Sequence, residues 1–350
     1  MIQPIHPADP APAAAIDPSA PGPADASALD LADAAPDAPL PLLEDGSLVL
    51  SAAPGAMEVA RAWLPRLPGP TSTGEPRAEI RVDAGAPDFA VPAAAPGMEL
   101  YGVRGWNAGG GAVVLADRAG RIGARVELEA RRARVRVDTA AGPQDPRDVF
   151  ATFTIAAGLL LTRLERALVH AAAVVAPDGG AWLLPGSSFS GKSTTAITLI
   201  RGGWNYLCDD HVVVGAGPDG ALRAEGWPRA FQLDRGYAAG ASEGVRARVE
   251  PHEFGPGRWQ RAAPLAGILF PRVEAELPTG VTPLHPAAAF ALVMRQSPFV
   301  GADRGAAGRV LALLERVAHL PAWELRLGRD TYCNAQTLQL VLSPILKPRT

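Results

Sequence analysis

The octet Gly186–Ser187–Ser188–Phe189–Ser190–Gly191–Lys192–Ser193 has glycines at both ends of a loop, a lysine after the second, and a hydroxyl after the lysine. This is the G-x-x-x-x-G-K-[ST] pattern of a loop that wraps phosphate. The chemistry needs each part. Backbone N–H groups can close on an anion only where the chain turns tightly, and a helix opening at the loop's end adds a favourable field. Lys192 would neutralise the β and γ phosphates of a nucleotide, and Ser193 would contribute its hydroxyl to Mg²⁺. Lysine is scarce here: the chain carries 33 lysines and arginines together, and only Lys192 and Lys347 are lysine. An arginine fork would not replace a compact ammonium inside such a cradle, which is a reason for lysine at this one place.

Two carboxylates follow at a useful distance. Asp209 and Asp210 lie 17 and 18 residues after Lys192, where "NYLC" gives way to "HVVV". A strand after the loop's helix, lying in the same sheet, would deliver them to the phosphate pocket. There a carboxylate can hold Mg²⁺ or accept a proton from an attacking hydroxyl. His170 precedes the strands that lead into the loop; from position alone a lone histidine beside alanine-rich strands reads as structural. His211 beside the acids invites a metal triad, but neighbours on a strand face opposite ways, so core or surface is the expectation.

The elements that must position these groups are legible in outline. "LVHAAAVVAP" and "GGAWLLPG" read as buried strands joined at "PDGG", the second leading into the loop. A short helix from Thr194 to Arg201 ends at Gly202–Gly203. Further on, "PLAGILFPRV" and "AWELRLG" read as strands, with helices over 286–296, 305–318 and 333–345. Upstream, "DPRDVFATFTIAAGLLLTRLERAL" (145–168) reads as a helix, with Asp145 as cap and Pro146 in the first turn. Before it, "RAEIRVD", "MELYGVRG", "GAVVLADRAG" and "RIGARVELEARRARVRVD" alternate apolar and polar residues between glycines, which argues for antiparallel strands, with a hairpin near Ala119–Gly120. That stretch shows no catalytic cluster, so a binding or packing role is expected of it.

The resulting division is an Ala/Pro-rich tail over 1–40, a β-rich accessory domain over 41–146, a linking helix over 147–167 and an α/β catalytic domain over 168–350. The tail lacks the apolar content to offset its ordering entropy and reads as disordered.

"HAAAVV…GAWLLPGSSFSGKSTTAITLIRGGWNYLCDDHVVV" resembles the core of the HPr kinase/phosphorylase family, whose nucleotide site is similar to that of phosphoenolpyruvate carboxykinases. The likeness is strongest over 168–215 and traceable to about 345. It implies a P-loop kinase core of α/β class using ATP and Mg²⁺, with His170, Lys192, Asp209 and Asp210 at the active site. Gly186 to Thr194 would hold the nucleotide. One aspartate, Asp210 slightly favoured, would take the proton from a serine hydroxyl, while Ser193 and Asp209 lie near the metal. Two positions depart from the family: Phe189 stands where glycine is usual, and Thr194 where an acid is common. Glu225 and Arg229, in "RAEGWPRAF", are candidates for the family's later acid and arginine. The first half is more similar to the front domain of HPr-kinase-related proteins, including kinases of lasso precursor peptides, so the acceptor need not be HPr. The family often forms hexamers, so the resemblance implies a homo-oligomer, although the first half departs from that of typical members.

The reading is therefore an ATP-dependent kinase acting on a serine of a peptide or small protein. The alternatives are a small-molecule kinase or carboxykinase-like phosphoryl transferase, and a nucleotide-binding regulator without turnover. A net charge of −3 and a pI near 6.1 give no general attraction to nucleic acid or anionic membranes. Cys208 and Cys333 offer neither a disulfide framework nor zinc spacing. The opening residues lack a basic start followed by an apolar run, and no apolar stretch is long enough to span a bilayer, so a cytoplasmic protein is expected. The Gly/Pro-rich stretch 244–261, with its arginines and Trp259, reads as a solvated loop or a mobile lid over the acceptor.

Overall fold

The computed structural model describes residues 39–53, 56, 59, 75–142, 145–227, 231–234, 246–249, 259–331 and 335–346. Residues 1–38, Arg229, 250–258 and Cys333 lie outside them, and with them nearly all of the expected tail and most of the expected lid.

The alternating runs of the first half form one mixed eight-stranded sheet. Its strands are β1 (Leu40–Pro41), β2 (Leu48–Ala52), β3 (Ala78–Ala84), β4 (Met98–Leu100), β5 (Val103–Gly109), β6 (Ala112–Ala116), β7 (Ile122–Glu127) and β8 (Arg132–Val137), in the order β1-β2-β3-β8-β7-β6-β5-β4. The hairpin near Ala119–Gly120 is there, β6 pairing antiparallel with β7. Two of the pairings correct the antiparallel expectation: β2 runs parallel to β3, and β3 parallel to β8. Alternation reports that one face of a strand is buried and says nothing about which neighbour it chooses. A smaller correction falls at Leu40, which is buried in β1 and does not belong to a tail.

Helix α1 (Pro146–Arg163) begins where its cap predicts, with the Asp145 side chain accepting the Arg147 N–H at 2.8 Å. It is apolar nearly all round, and so it is buried: the cluster under the first sheet takes in Phe153, Ile155, Leu159 and Leu160 and continues to Leu168, Val213, Trp227 and Phe299 of the second half. At its far end Arg163 pairs with the buried Asp303.

The second half is built on a mixed nine-stranded sheet. It contains β9 (Ala167–Val169), β10 (Ala171–Val175), β11 (Ala181–Pro185), β12 (Asn205–Cys208), β13 (Val212–Ala216), β14 (Leu222–Gly226), β17 (Ala262–Val273), β18 (Gly280–Pro283) and β19 (Ala322–Leu327). A separate two-stranded ribbon pairs β15 (Phe231–Asp234) with β16 (Arg246–Val249). The helices are α2 (Lys192–Arg201), α3 (Pro286–Arg295), α4 (Arg304–Ala318) and α5 (Ala335–Leu346). β10 lies between β11 and β12, so the strand that enters the glycine loop and the strand that ends in the aspartates share a neighbour. β17 runs parallel to β11 and to β19.

The described parts of 244–261 are not a solvated loop. Residues 246–249 form β16, and Trp259 packs into the core beneath α2 with its indole N–H donating to the Leu207 carbonyl at 3.2 Å. The Gly and Pro content of that stretch concealed a ribbon strand and an anchored aromatic. Among the described residues no helix is long and apolar enough to cross a membrane.

Candidate functional site

The glycine loop connects the end of β11 to the first residue of α2. β11 is buried along its whole length, which fixes where the loop starts. Gly191 caps α2 with φ 100° and ψ 8°. A β-carbon there would stand 2.6 Å from Leu327 Cδ1, so both conformation and space call for glycine. Phe189 also has positive φ, 66°, and its ring is 87% exposed. It therefore points away from the loop's interior, and the bulk that replaces the expected glycine does not narrow the cradle.

Lys192 is only 5% exposed, and its Nζ donates to the Gly186 carbonyl at 2.8 Å and the Ser187 carbonyl at 2.9 Å. The ammonium folds back over the loop that it follows. Ser193, one residue on, aims its hydroxyl across the site and donates to Asp209 Oδ1 at 2.9 Å. Asp209 is 1% exposed at the end of β12. Asp210 is half-buried and takes φ 69°, a left-handed conformation in which its carbonyl accepts the Ala171 N–H at 3.0 Å. That bond ties the acid pair to the start of β10, next to His170.

His170 sits between β9 and β10, its own N–H donating to the Gln296 carbonyl at 2.7 Å. Its ring meets that of His211 edge-on, with centroids 5.7 Å apart. His211 thus belongs with the acids and His170. Opposite-face alternation does not apply to it, because residues 209–211 form the bend between β12 and β13, where the His211 N–H donates to the Asp209 carbonyl at 2.9 Å. Two further rings close on His211, Phe150 of α1 and Tyr101 of the first sheet, with centroids 6.0 and 5.9 Å away. No sequence signal marked Tyr101.

The structure places Glu225 elsewhere. Its buried carboxylate faces Arg261 at 3.3 Å and Arg166 at 3.4 Å, and accepts the backbone N–H of Glu44 from the turn between β1 and β2. Burial pushes its carboxyl up to about 7, against the pull of the two arginines. It is part of the joint between the two sheets and faces no residue of the glycine loop. Cys208, beside Asp209, is buried and its thiol is pushed up by loss of solvent, which leaves it inert.

The donors near the loop suit a hard cation and a phosphate chain. Ser193 and Asp209 offer two oxygens; a magnesium ion is held in the same way, by one or two protein oxygens with phosphate and water completing its shell. Among the described residues no group of three His, Cys, Asp or Glu side chains gathers into an all-protein metal cage. Beside the loop a mainly apolar cavity of about 330 Å³ opens between Thr194 and Thr195 of α2 and the ends of β17 and β19, Val273 and Leu327.

No family model matches the chain, and no curated protein does. Among solved structures it is similar to the HPr(Ser) kinase/phosphatase from Coxiella burnetii, over 51% of this chain and 92% of that one, at 11% identity and a TM-score of 0.30. That likeness is too slight to carry a function to this chain. What it does stems from the site itself.

Proposed function

We propose that the protein is an ATP-dependent kinase that moves the γ-phosphoryl group to a hydroxyl, a serine of a peptide or small protein. The observation that carries this reading is the hydrogen bond from Ser193 to Asp209, which joins the glycine-lysine loop to the acid pair across two separate elements. A loop that only turned a chain into a helix would have no need of a buried carboxylate at its lip. Bound MgATP would supply the transferable phosphoryl group. Gly186 to Thr194 would hold the phosphates.

Lys192 would leave the two loop carbonyls for the β and γ phosphates and offset the charge that builds as the bond to the leaving oxygen breaks. Ser193 and Asp209 would hold Mg²⁺. The Ser193–Asp209 hydrogen bond supports giving Asp209 to the metal; Asp210 would be the base, taking the proton of the serine hydroxyl as that oxygen bonds to phosphorus. His170 and His211 flank the acid pair.

The test is MgATP consumption in the presence of serine-containing peptides. Asp209→Asn and Asp210→Asn should each lower turnover by about a hundredfold or more, the range for a lost base or metal carboxylate. If both variants consume ATP as fast as the native chain, the kinase reading is wrong.

A further inference from the structure

β4 and β5 are joined by two residues, Tyr101 and Gly102, with Leu100 paired to Val103. Both have positive φ, 53° and 86°. This is the pattern of the two-residue hairpin turn whose preferred sequence is Asn-Gly, because asparagine tolerates the left-handed conformation and glycine accepts it freely. An aromatic residue in the first position is an outlier. Tyr101 also gains little burial there, for it is 44% exposed. Neither the turn nor the core accounts for a tyrosine.

Its surroundings do. The Tyr101 hydroxyl lies 3.4 Å from His211 Nε2. With Phe150 and His170, three rings from three separate segments meet around His211. His211 directly follows Asp209 and Asp210, and Asp210 is itself held in the left-handed region. An aromatic residue held at positive φ against His211 marks a place where side-chain position outweighs local preference.

We infer that this ring box is the acceptor side of the phosphoryl-transfer site, that it takes an extended peptide segment bearing the hydroxyl, and that Tyr101 determines which segment fits. The inference rests on the kinase reading above. An acceptor hydroxyl must come within hydrogen-bond reach of the carboxylate that takes its proton, so the chain bearing it has to pass beside residues 209–211. There it meets the exposed Tyr101 ring and the half-buried Phe150 and His170, flat faces that give contact area at small entropic cost, while the buried His211 supports the phenol from beneath. The first sheet then has a part in the reaction: it holds one side chain against His211, the residue that follows the acids.

The experiment uses the full chain, radiolabelled ATP with Mg²⁺, and an arrayed library of synthetic serine- and threonine-containing peptides; the best-labelled peptide then serves for kinetics. Tyr101→Asn suits the turn better than the native residue, so its urea midpoint should equal or exceed the native one, which separates the effect from misfolding. Its KM for the peptide should rise about tenfold or more while kcat stays within about threefold, the signature of lost acceptor binding. Tyr101→Phe, which keeps the ring and loses the hydroxyl, should raise KM by about threefold, less than Tyr101→Asn does. A Tyr101→Asn variant with native KM, or with kcat reduced at native KM, overturns the inference while the kinase reading stands. A native chain that binds MgATP but labels no peptide overturns the peptide acceptor. Failure to bind MgATP at all sinks the kinase reading first.

Discussion

Replacing Glu225 by glutamine sets two forces against each other. Arg166 and Arg261 attract its charge at 3.4 and 3.3 Å, while burial resists keeping any charge there. Burial wins, because the arginine heads are themselves withdrawn from water; Arg261 is pulled down by the same loss of solvent. The carboxyl is raised from an ordinary 4.5 to about 7. The folded chain therefore holds a proton that the unfolded chain releases. Its contribution to stability is full below the unfolded value and is lost as pH rises through about 7. At 1.36 kcal/mol per decade the whole effect is roughly 3 kcal/mol, most of which falls between pH 5 and pH 8. Glu225→Gln carries a neutral isostere and removes that slope. Urea unfolding of both chains at pH 5 and pH 8 should show the variant gaining about 2–3 kcal/mol on the native chain over the interval. The comparison is a difference between two pH values, so the absolute cost of disturbing the arginines cancels. A constant gap, or one that moves in favour of the native chain, means that Arg166 and Arg261 keep Glu225 ionised throughout, and the reasoning fails.

Two other substitutions turn on glycines that the fold uses differently. Gly158→Ala should favour helix α1 by about 1 kcal/mol on propensity alone, yet the new β-carbon would stand 2.6 Å from the buried ring of Phe299. Overpacking of that kind costs about 1–3 kcal/mol, so a lower urea midpoint is expected where the sequence forecasts a higher one. Gly191→Ala meets both a left-handed φ of 100° and Leu327. A loss of about 2 kcal/mol in stability and at least about tenfold in MgATP affinity, measured by calorimetry, is expected.

The local signals in this sequence were readable because their causes are local. Asp145 and Pro146 announced α1, and the glycine frame around Lys192 announced the loop before α2. The Asp pair was found by its distance from the lysine, and β10 explains why that distance works: it bridges β11 and β12. What stayed hidden depends on partners far apart in the chain. The parallel pairing of β3 with both β2 and β8 is a choice among neighbours that alternation does not encode. Tyr101 and His211 are 110 residues apart. Glu225 carried a plausible motif position, yet its surroundings are set by Arg166, Arg261 and the turn at Glu44, none of them near it in sequence.

The scarcity of lysine has a practical side. Apart from the amine at the start of the chain, only Lys192 and Lys347 can be acylated at nitrogen. The Lys192 amine is tucked under two carbonyls of its own loop, whereas an arginine-rich exterior offers acylating reagents nothing to consume them. A single tryptic fragment, followed by mass, then reads out whether the loop is shut on its lysine or has released it.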